Sequence, residues 1–188
     1  MSYFFHTIKQ YSFKQLLKRL VEEYIWWIVR NWPGYEGMLL RYWILKLLVK
    51  KIDGMCYISQ GCTITNCTNI TIGRNFACNR NVIIDGTGGL TIGDDVGFGP
   101  NSVLLTHEHT MFTQKGYFVD QDYKNKLTII GNNVWISSNC FLKAGVKIGD
   151  NVVIAANSHL VDDAPNNSKW IGNPAKNYYK VMREHIKK

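Results

Sequence analysis

The side chains best suited to acid–base chemistry in this sequence are two histidines in the segment LLTHEHT, His107 and His109. An imidazole titrates near neutral pH, so a positioned histidine can take a proton from a hydroxyl group. The pair has three interpretations: one general base, two exposed loop side chains, or two ligands of a metal ion with a third ligand elsewhere. The other histidines, His6, His159 and His185, are poorly placed to complete a regular metal site. We therefore expect no metal.

A repeat of six residues predicts the elements that position these histidines. Aliphatic side chains recur at every sixth position from Ile130 to Leu160, and the same phase is found between Ile58 and Leu104. This period fits a short strand and a tight corner, repeated as a flat-sided solenoid of about five coils. The corners contain Gly, Asn and Asp, which tolerate left-handed backbone angles. The sequence therefore predicts a mainly β solenoid with a thin continuous core.

The repeat also divides the chain. Residues 1–54 lack it and are predicted to form an N-terminal helical segment, with helices at Phe13–Val29 and about residues 37–51. Residues 55–176 are predicted to form the β solenoid, interrupted by an excursion loop at 110–126 directly after the histidines. Long excursions from a repetitive scaffold are often functional. Residues 177–188 are predicted to form a basic tail with a short helix.

Composition limits the setting and the partners. The 188 residues include 22 basic and 14 acidic side chains, a formal net charge of +8, which fits an anionic ligand or a membrane surface. The basic excess also fits nucleic acid, but no recognised motif accompanies it, so nucleic acid is not expected. The five cysteines form no CxxC pair and no signal peptide is recognised, so we expect a cytoplasmic protein. Cations interrupt every apolar run, and no transmembrane segment is predicted.

The predicted N-terminal helices are rich in tryptophan. Trp26, Trp27, Trp32 and Trp43 lie among lysines and arginines. One interpretation is that these helices cap the open end of the solenoid or form a subunit contact. The other, compatible with the first, is peripheral docking on the inner face of the membrane, where tryptophan lies at the interface and cations meet anionic lipid.

The repeat, the interruption carrying HEH, the segment NNVWISSNC and the closing GNPAK, in that order, resemble the hexapeptide-repeat acyltransferases. The resemblance covers roughly residues 55–180 and is greatest to the maltose, galactoside and polysaccharide O-acetyltransferases. It implies a left-handed parallel β-helix and a homotrimer with active sites between subunits. It also implies transfer of an acetyl group from acetyl-CoA to a sugar hydroxyl, in the biosynthesis of cell-surface polysaccharide.

The resemblance further implies roles for individual residues of the acceptor side. Counting from the GPN segment at residues 99–101 places His109 on the family's catalytic histidine, with His107 as the alternative. Its imidazole would deprotonate the acceptor as that oxygen attacks the thioester, with no acyl-enzyme. Asn79, in GRNFACNRN, falls on an asparagine position near the acceptor and the histidine. Asp85 lies either at the acceptor pocket or in a turn.

On the donor side, Trp135 and Ser138 match the stretch that lines the pantetheine arm of acetyl-CoA. Ala156 matches a position whose backbone meets an amide of the cofactor. Lys176, in GNPAK, matches a basic position facing the nucleotide phosphates, and Lys180 can assist it.

Three other functions remain open from the sequence. Within the same family, the acceptor can be the amino group of an amino sugar or a xenobiotic. A second class is a zinc-dependent solenoid of the carbonic anhydrase type. A third is a non-catalytic scaffold that docks on the membrane through its tryptophan-rich helices.

Overall fold

Two helices come before the solenoid and one follows it in the computed structural model, which describes residues 12–110 and 123–186. Helix α1 spans Phe13–Val29, as predicted, and begins at a capping box in which Ser12 Oγ accepts from the N–H of Gln15. Helix α2 spans Gly34–Leu48, three residues earlier than predicted at both ends. It ends there because the chain becomes extended at Val49 and then joins a sheet. Helix α3 spans Tyr178–Ile186.

Short strands stack into three sheets, one for each flat side of the solenoid. In spatial order, the first sheet contains β1 (Lys51–Ile52), β4 (Ile70–Ile72), β7 (Leu90–Ile92), β12 (Thr128–Ile130) and β15 (Lys147–Ile148). The second contains β19 (Lys176–Asn177), β18 (Lys169–Ile171), β16 (Val152–Ile154), β13 (Val134–Ile136), β8 (Val96–Phe98), β5 (Ala77–Cys78) and β2 (Tyr57–Ile58). The third contains β17 (His159–Leu160), β14 (Phe141–Leu142), β9 (Val103–Leu104), β6 (Ile83–Asp85) and β3 (Thr63–Thr65). All pairs are parallel except β18 with β19.

The residues at the sixfold positions form the core. In the second sheet, Ile58, Cys78, Phe98, Ile136 and Ile154 pair in register from coil to coil, and each is 0% exposed. Burial of such a side chain contributes about 1.5–3 kcal/mol. The predicted solenoid with its stacked core is confirmed.

Two of the three corners are built from a repeated asparagine in the left-handed conformation, with φ between 53° and 60°. The corner between the first and second sheets stacks Asn75, Asp95, Asn133, Asn151 and Asn167, and the corner between the second and third sheets stacks Asn81, Asn101, Asn139 and Asn157. The side chains form ladders: Asn133 Nδ2 donates to Asn151 Oδ1 over 2.8 Å, and Asn151 Nδ2 to Asn167 Oδ1 over 3.0 Å. The prediction that residues tolerant of left-handed backbone angles form the corners is therefore confirmed at these two corners.

Helices α1 and α2 cover the first coil. Trp26 is buried and its Nε1 donates to the carbonyl of Cys62 over 2.7 Å. Arg41 is 2% exposed and donates to the carbonyls of Ile58 (2.8 Å) and Trp32 (2.7 Å). These bonds fix both helices to the end of the solenoid. None of the helices within the described residues is long and apolar enough to cross a membrane.

A two-stranded antiparallel ribbon leaves the solenoid at the predicted excursion. It consists of β10 (His107–His109) and β11 (Tyr123–Asn125). Lys126 closes its base, since its N–H donates to the carbonyl of Thr106 over 2.8 Å. The rest of the predicted loop, residues 111–122, lies outside the described residues, as do residues 187–188 of the predicted tail.

Candidate active site

The third corner, between the third and first sheets, brings a carboxylate to a histidine. Strand β6 ends at Asp85, and Ile84 of that strand pairs with Leu104 of β9 in the next coil. The residues that follow the two strands therefore leave the solenoid at the same corner. His107 comes shortly after β9, and its Nδ1 lies 2.9 Å from Asp85 Oδ2.

Asp85 is held in place by several donors. It is 7% exposed, and its Oδ1 accepts from Asn66 Nδ2 over 2.8 Å and from the Thr87 hydroxyl over 2.7 Å. Burial alone would raise the pKa of Asp85, but the hydrogen bonds from Thr87, His107 and Asn66 outweigh it and lower the pKa below its usual value. An ionised Asp85 accepts from Nδ1–H of His107, which leaves the lone pair of a neutral imidazole on Nε2. Nε2 is then placed to accept a proton.

The two histidines of β10 lie in different surroundings. The side chain of His107 is 23% exposed, whereas His109 belongs to the exposed residues of the ribbon. The ring of His109 lies 4.4 Å from the ring of Tyr123, centroid to centroid, and 6.2 Å from that of His107. The ring of Tyr123 also lies 5.3 Å from that of His107, which in addition contacts the buried carboxylate of Asp85.

Glu108, between the two histidines, ties the ribbon to the solenoid. Its Oε2 lies 2.6 Å from Lys126 Nζ, and its Oε1 lies 3.8 Å from Lys143 Nζ. The hydrogen bond from Lys126 lowers the pKa of Glu108. Glu108 therefore holds the base of the excursion closed and fixes the strand that carries His107.

A pocket of about 250 Å³ lies between α1 and the first coil, beside the third corner. Its lining includes Arg19, Glu22, Glu23, Trp26, Trp27, Arg30, Thr65 and Asn66. Asn66 links this lining to Asp85, as described above. Arg30 also lines the pocket, and its Nε is buried with no hydrogen-bond partner among the described residues. Sequence reasoning missed this pocket, because the repeat pattern gives no information on how α1 is docked.

Asn79 lies at a different corner from Asp85 and His107. It follows β5, at the corner between the second and third sheets, and its Nδ2 donates to the carbonyl of Phe98 over 2.9 Å. Asn79 lies before strand β6 and Asp85 is the last residue of that strand. The two residues therefore lie on opposite sides of the third sheet along the strand direction, roughly 15–20 Å apart. One copy of the chain therefore does not bring the predicted Asn79 and His107 together.

Trp135 lies on the outer face of the second sheet and is 45% exposed. Its ring lies over Gly97 of the neighbouring strand, where an added Cβ would be 2.6 Å from Trp135 Cζ3, so only glycine fits. The same outer row continues through Val153 to Lys169, an exposed cation about two strand spacings, or about 10 Å, from Trp135. Sequence reasoning missed Lys169, although counting strand by strand from Trp135 leads to it.

Ser138 and Ala156 stack on one another at the corner between the second and third sheets, where the N–H of Asn157 donates to the carbonyl of Ser138 over 3.0 Å. The backbone N–H groups of Ser138 and Ala156 have no hydrogen-bond partner within the described part of the chain. Gly99 packs against this corner so closely that an added Cβ would be 2.5 Å from the nitrogen of Ser138. The corner therefore presents two free donors next to Trp135.

The predicted cations lie further along the solenoid. Lys176, in β19, is exposed, and its Nζ lies 3.9 Å from Asp162 Oδ2. Lys180 is exposed in α3. In residues 12–110 and 123–186, no group of three or more His, Cys, Asp or Glu side chains is arranged to hold a metal ion.

Comparison with known proteins identifies the repeat. The family described as "Bacterial transferase hexapeptide (six repeats)" matches residues 127–161. The galactoside O-acetyltransferase of Escherichia coli is 40% identical over 133 residues, which cover 71% of this chain and 60% of that protein. The chain spans between 55% and 60% of the length of this relative and of two yeast relatives.

Two further similarities cover more of the chain. The E. coli protein WcaF, whose name assigns it provisionally to colanic acid biosynthesis as an acetyltransferase, is 27% identical over 175 residues, 86% of each protein. A structure of a galactoside acetyltransferase in complex with coenzyme A is 29% identical and covers 88% of this chain and 82% of that one, with a TM-score of 0.80. These findings confirm the predicted resemblance to the hexapeptide-repeat acyltransferases and the predicted left-handed β-helix class.

Proposed function

We propose that this chain, a β-helix with the hexapeptide repeat of bacterial acyltransferases, is an acetyl-CoA-dependent O-acetyltransferase that acts on a saccharide, with His107 as its general base. The observation that carries this proposal is the 2.9 Å contact between His107 Nδ1 and the buried Asp85. A histidine oriented by a carboxylate, with its other nitrogen free, is the arrangement of a general base. This contact favours His107 as the base. The sequence had favoured His109, with His107 as the alternative.

The reaction needs one base and no covalent intermediate. Nε2 of His107 takes the proton of the acceptor hydroxyl while that oxygen attacks the thioester carbonyl of acetyl-CoA. Asp85 stabilises the imidazolium that forms. The C–S bond then breaks, the proton passes from the imidazolium to the sulfur, and the products are the acetyl ester and free CoA.

The residues predicted for the donor fit acetyl-CoA. The Trp135 ring, which lies over Gly97, forms a flat apolar wall that suits the pantetheine arm. The free N–H of Ala156 can donate to an amide oxygen of that arm, and the free N–H of Ser138 can donate to the oxygen that becomes negative during attack. Lys169, Lys176 and Lys180 supply positive charge for the phosphates.

The two sets of residues complete one site only if a neighbouring copy takes part. The corner between the second and third sheets carries Asn79 and Ser138, with Trp135 beside it. The third corner, between the third and first sheets, carries Asp85 and His107. In a ring of copies, one of these corners on each solenoid can meet the other corner on its neighbour. This separation supports a homotrimer with three sites, each between two subunits.

A saccharide acceptor fits the pocket beneath α1. Trp26 and Trp27 offer aromatic surface, Glu23 offers a carboxylate, and Arg30 offers a guanidinium group. Sugars present apolar ring faces and hydroxyl groups that are both donors and acceptors, so this mixture suits them. The similarity to WcaF along 86% of the chain supports a role in cell-surface polysaccharide biosynthesis.

Kinetics of matched histidine variants test the proposal. Release of free CoA thiol from acetyl-CoA would be measured with saccharide acceptors and with amino-sugar acceptors. We expect turnover with a hydroxyl acceptor and a loss of about 10²–10⁴-fold in His107→Ala, the scale of a lost general base. His109→Ala, the matched control on the same strand, is expected to stay within about threefold of the parent.

Three outcomes contradict the proposal. Turnover near that of the parent in His107→Ala removes its central assignment, and a selective loss in His109→Ala moves the base to that residue. Acetylation of amines alone makes the protein an N-acetyltransferase. Melting temperatures of both variants show whether any loss reflects unfolding.

A further inference from the structure

The outward side of helix α1 is apolar along its whole length. Seven large apolar or aromatic side chains on it are between 43% and 81% exposed: Phe13, Leu17, Leu20, Val21, Tyr24, Trp27 and Ile28. Their spacing of three and four residues places them on one helical stripe. Glu22, Trp26 and Val29 occupy the opposite side, which is buried against the solenoid.

This orientation is the reverse of an ordinary surface helix, which turns its apolar stripe to the core and its charges to water. Helix α2 extends the surface, because its outward residues Leu39, Trp43 and Leu47 are 41%, 56% and 80% exposed. We call the outward residues of α1 and α2 together the docking face. An apolar surface of this extent marks an interaction site.

We propose that the docking face binds the surface of an anionic phospholipid membrane. Exposed cations border it: Lys14 on α1, Lys46 in the last turn of α2, and Lys50 just after that helix. Lys46 Nζ lies 5.1 Å from the ring of Trp43, so an apolar ring and a cation occur side by side. A helix that combines Trp, Phe and Leu on one face with flanking Lys and Arg lies in the membrane interface, and its cations are attracted to anionic headgroups.

Charge favours a membrane over a second copy of the chain as the occupant. The cations that border the docking face would lie opposite one another if two copies met there, and like charges brought together at an interface are destabilising. An anionic lipid surface is complementary both to the charge and to the apolar stripe. The exposed tryptophans and tyrosines are the side chains enriched at membrane–water interfaces.

Docking would place the acceptor pocket next to the lipid headgroups. The inner side of α1 lines that pocket with Glu22, Trp26 and Arg30, while the outer side forms the docking face. The two sides of one helix are separated by its diameter, about 10–12 Å. A saccharide carried on a membrane lipid at the cytoplasmic surface would therefore reach the pocket. This last step rests on the proposed function, whereas membrane binding itself does not.

Co-sedimentation of the full chain with vesicles tests the inference. One set of vesicles would contain phosphatidylglycerol and phosphatidylethanolamine, and the other phosphatidylcholine alone. We expect binding to the anionic set that weakens as salt shortens the Debye length from about 10 Å to about 3 Å. Leu20→Glu combined with Tyr24→Glu is expected to weaken binding by about 10-fold or more, because both side chains lie at the centre of the stripe.

Two controls make the result specific. Met182→Glu changes an exposed apolar residue (41% exposed) of α3, at the far end of the solenoid, and is expected to leave binding unchanged. His107→Ala is expected to bind vesicles as the parent does, since docking needs no catalysis. Retained vesicle binding by His107→Ala therefore keeps a failure of the proposed chemistry separate from a failure of docking.

Several results would overturn the inference. These are equal binding to neutral and anionic vesicles, unchanged binding by the double variant, or no binding by the parent. A smaller assembly of the double variant in light scattering, with no vesicle binding by the parent, would show that a second copy covers the face.

Discussion

The corners of this solenoid differ in what they repeat. At two of them, each coil contributes an asparagine or aspartate with the same left-handed backbone, and the side chains bond to their counterparts above and below. At the third corner, successive coils contribute Asn66, Asp85 and the Thr106–His107 pair, which are not at equivalent positions and contact one another in a network with no repetition. The repeated corners hold coils at their spacing, whereas the third corner orients one imidazole.

The difference shows how a repetitive scaffold acquires a specific site. In a solenoid, each coil contacts only its neighbours, so a side chain present in every coil contributes to stability in small equal parts. A side chain that occurs in one coil only is not part of such a repeated set and can serve a specific site. Asp85 occurs in one coil only, and its carboxylate contacts Asn66, Thr87 and His107.

The strongest test of this comparison changes one aspartate at each kind of corner. Asp85→Asn keeps the shape but loses the charge that orients and stabilises the protonated His107, so we expect turnover to fall about 10- to 10³-fold. Asp95→Asn, the matched control, places an asparagine in a column of asparagines and is expected to leave turnover unchanged. Steady-state turnover with acetyl-CoA and a saccharide measures both. Equal effects of the two substitutions would show that the third corner is no different from the others.

A smaller effect, on stability alone, is expected at a repeated corner. Asn151→Ala removes the ladder bonds to Asn133 and Asn167. It also leaves, at a φ of 57°, a residue without the polar side chain that helps asparagine to adopt the left-handed conformation. We expect the free energy of unfolding to fall by about 2 kcal/mol, from the strained backbone and the lost bonds together. Asn151→Gly, which adopts this φ without strain, is expected to lose about half as much.

Chemical denaturation of the two Asn151 variants gives these energies. A loss as large in the glycine variant as in the alanine variant would mean that backbone strain has no part in it. A fall in turnover below the melting transition would mean that the repeated corner also serves the chemistry.

The smallest expected effect is the pH dependence of the Asp85 contribution. Because the folded pKa of Asp85 lies below the ordinary 3.8, its carboxylate stabilises the fold above that value. The contribution is lost as pH falls through the lowered folded pKa, where Asp85 becomes protonated. The difference in melting temperature between the parent and Asp85→Asn is therefore expected to shrink as the pH falls below about 4 and through the lowered folded pKa. A difference that grows on acidification would contradict the lowered pKa.

Sequence alone predicted the parts of the fold that repeat. Aliphatics at every sixth position had one arrangement that buries them all, and the stacked Ile136 and Ile154 occupy it. The bounds of α1 were also correct, since the helical spacing of its apolar residues is a local signal. The end of α2 was placed three residues too late, because Lys51 and Ile52 pair with Thr71 and Ile72, and such distant pairing leaves no local mark.

The candidate site was only partly accessible from the sequence. Counting from the GPN corner leads to strand β10, on which His107 and His109 are two residues apart and face the same way. The choice between them depends on the position of Asp85, 22 residues earlier, at the end of β6. The pocket beneath α1 was not predicted, because its lining combines helix and coil residues whose contact is set by tertiary packing.

The buried Arg41 also has a consequence for assembly. A parallel solenoid is open at both ends, and an uncovered first coil presents strand edges to which another chain can add, as in a growing fibre. Arg41 occupies the carbonyl of Ile58 in the first coil and ties it to the chain between the two helices. An added strand would therefore find this acceptor already occupied, by a side chain that belongs to none of the coils.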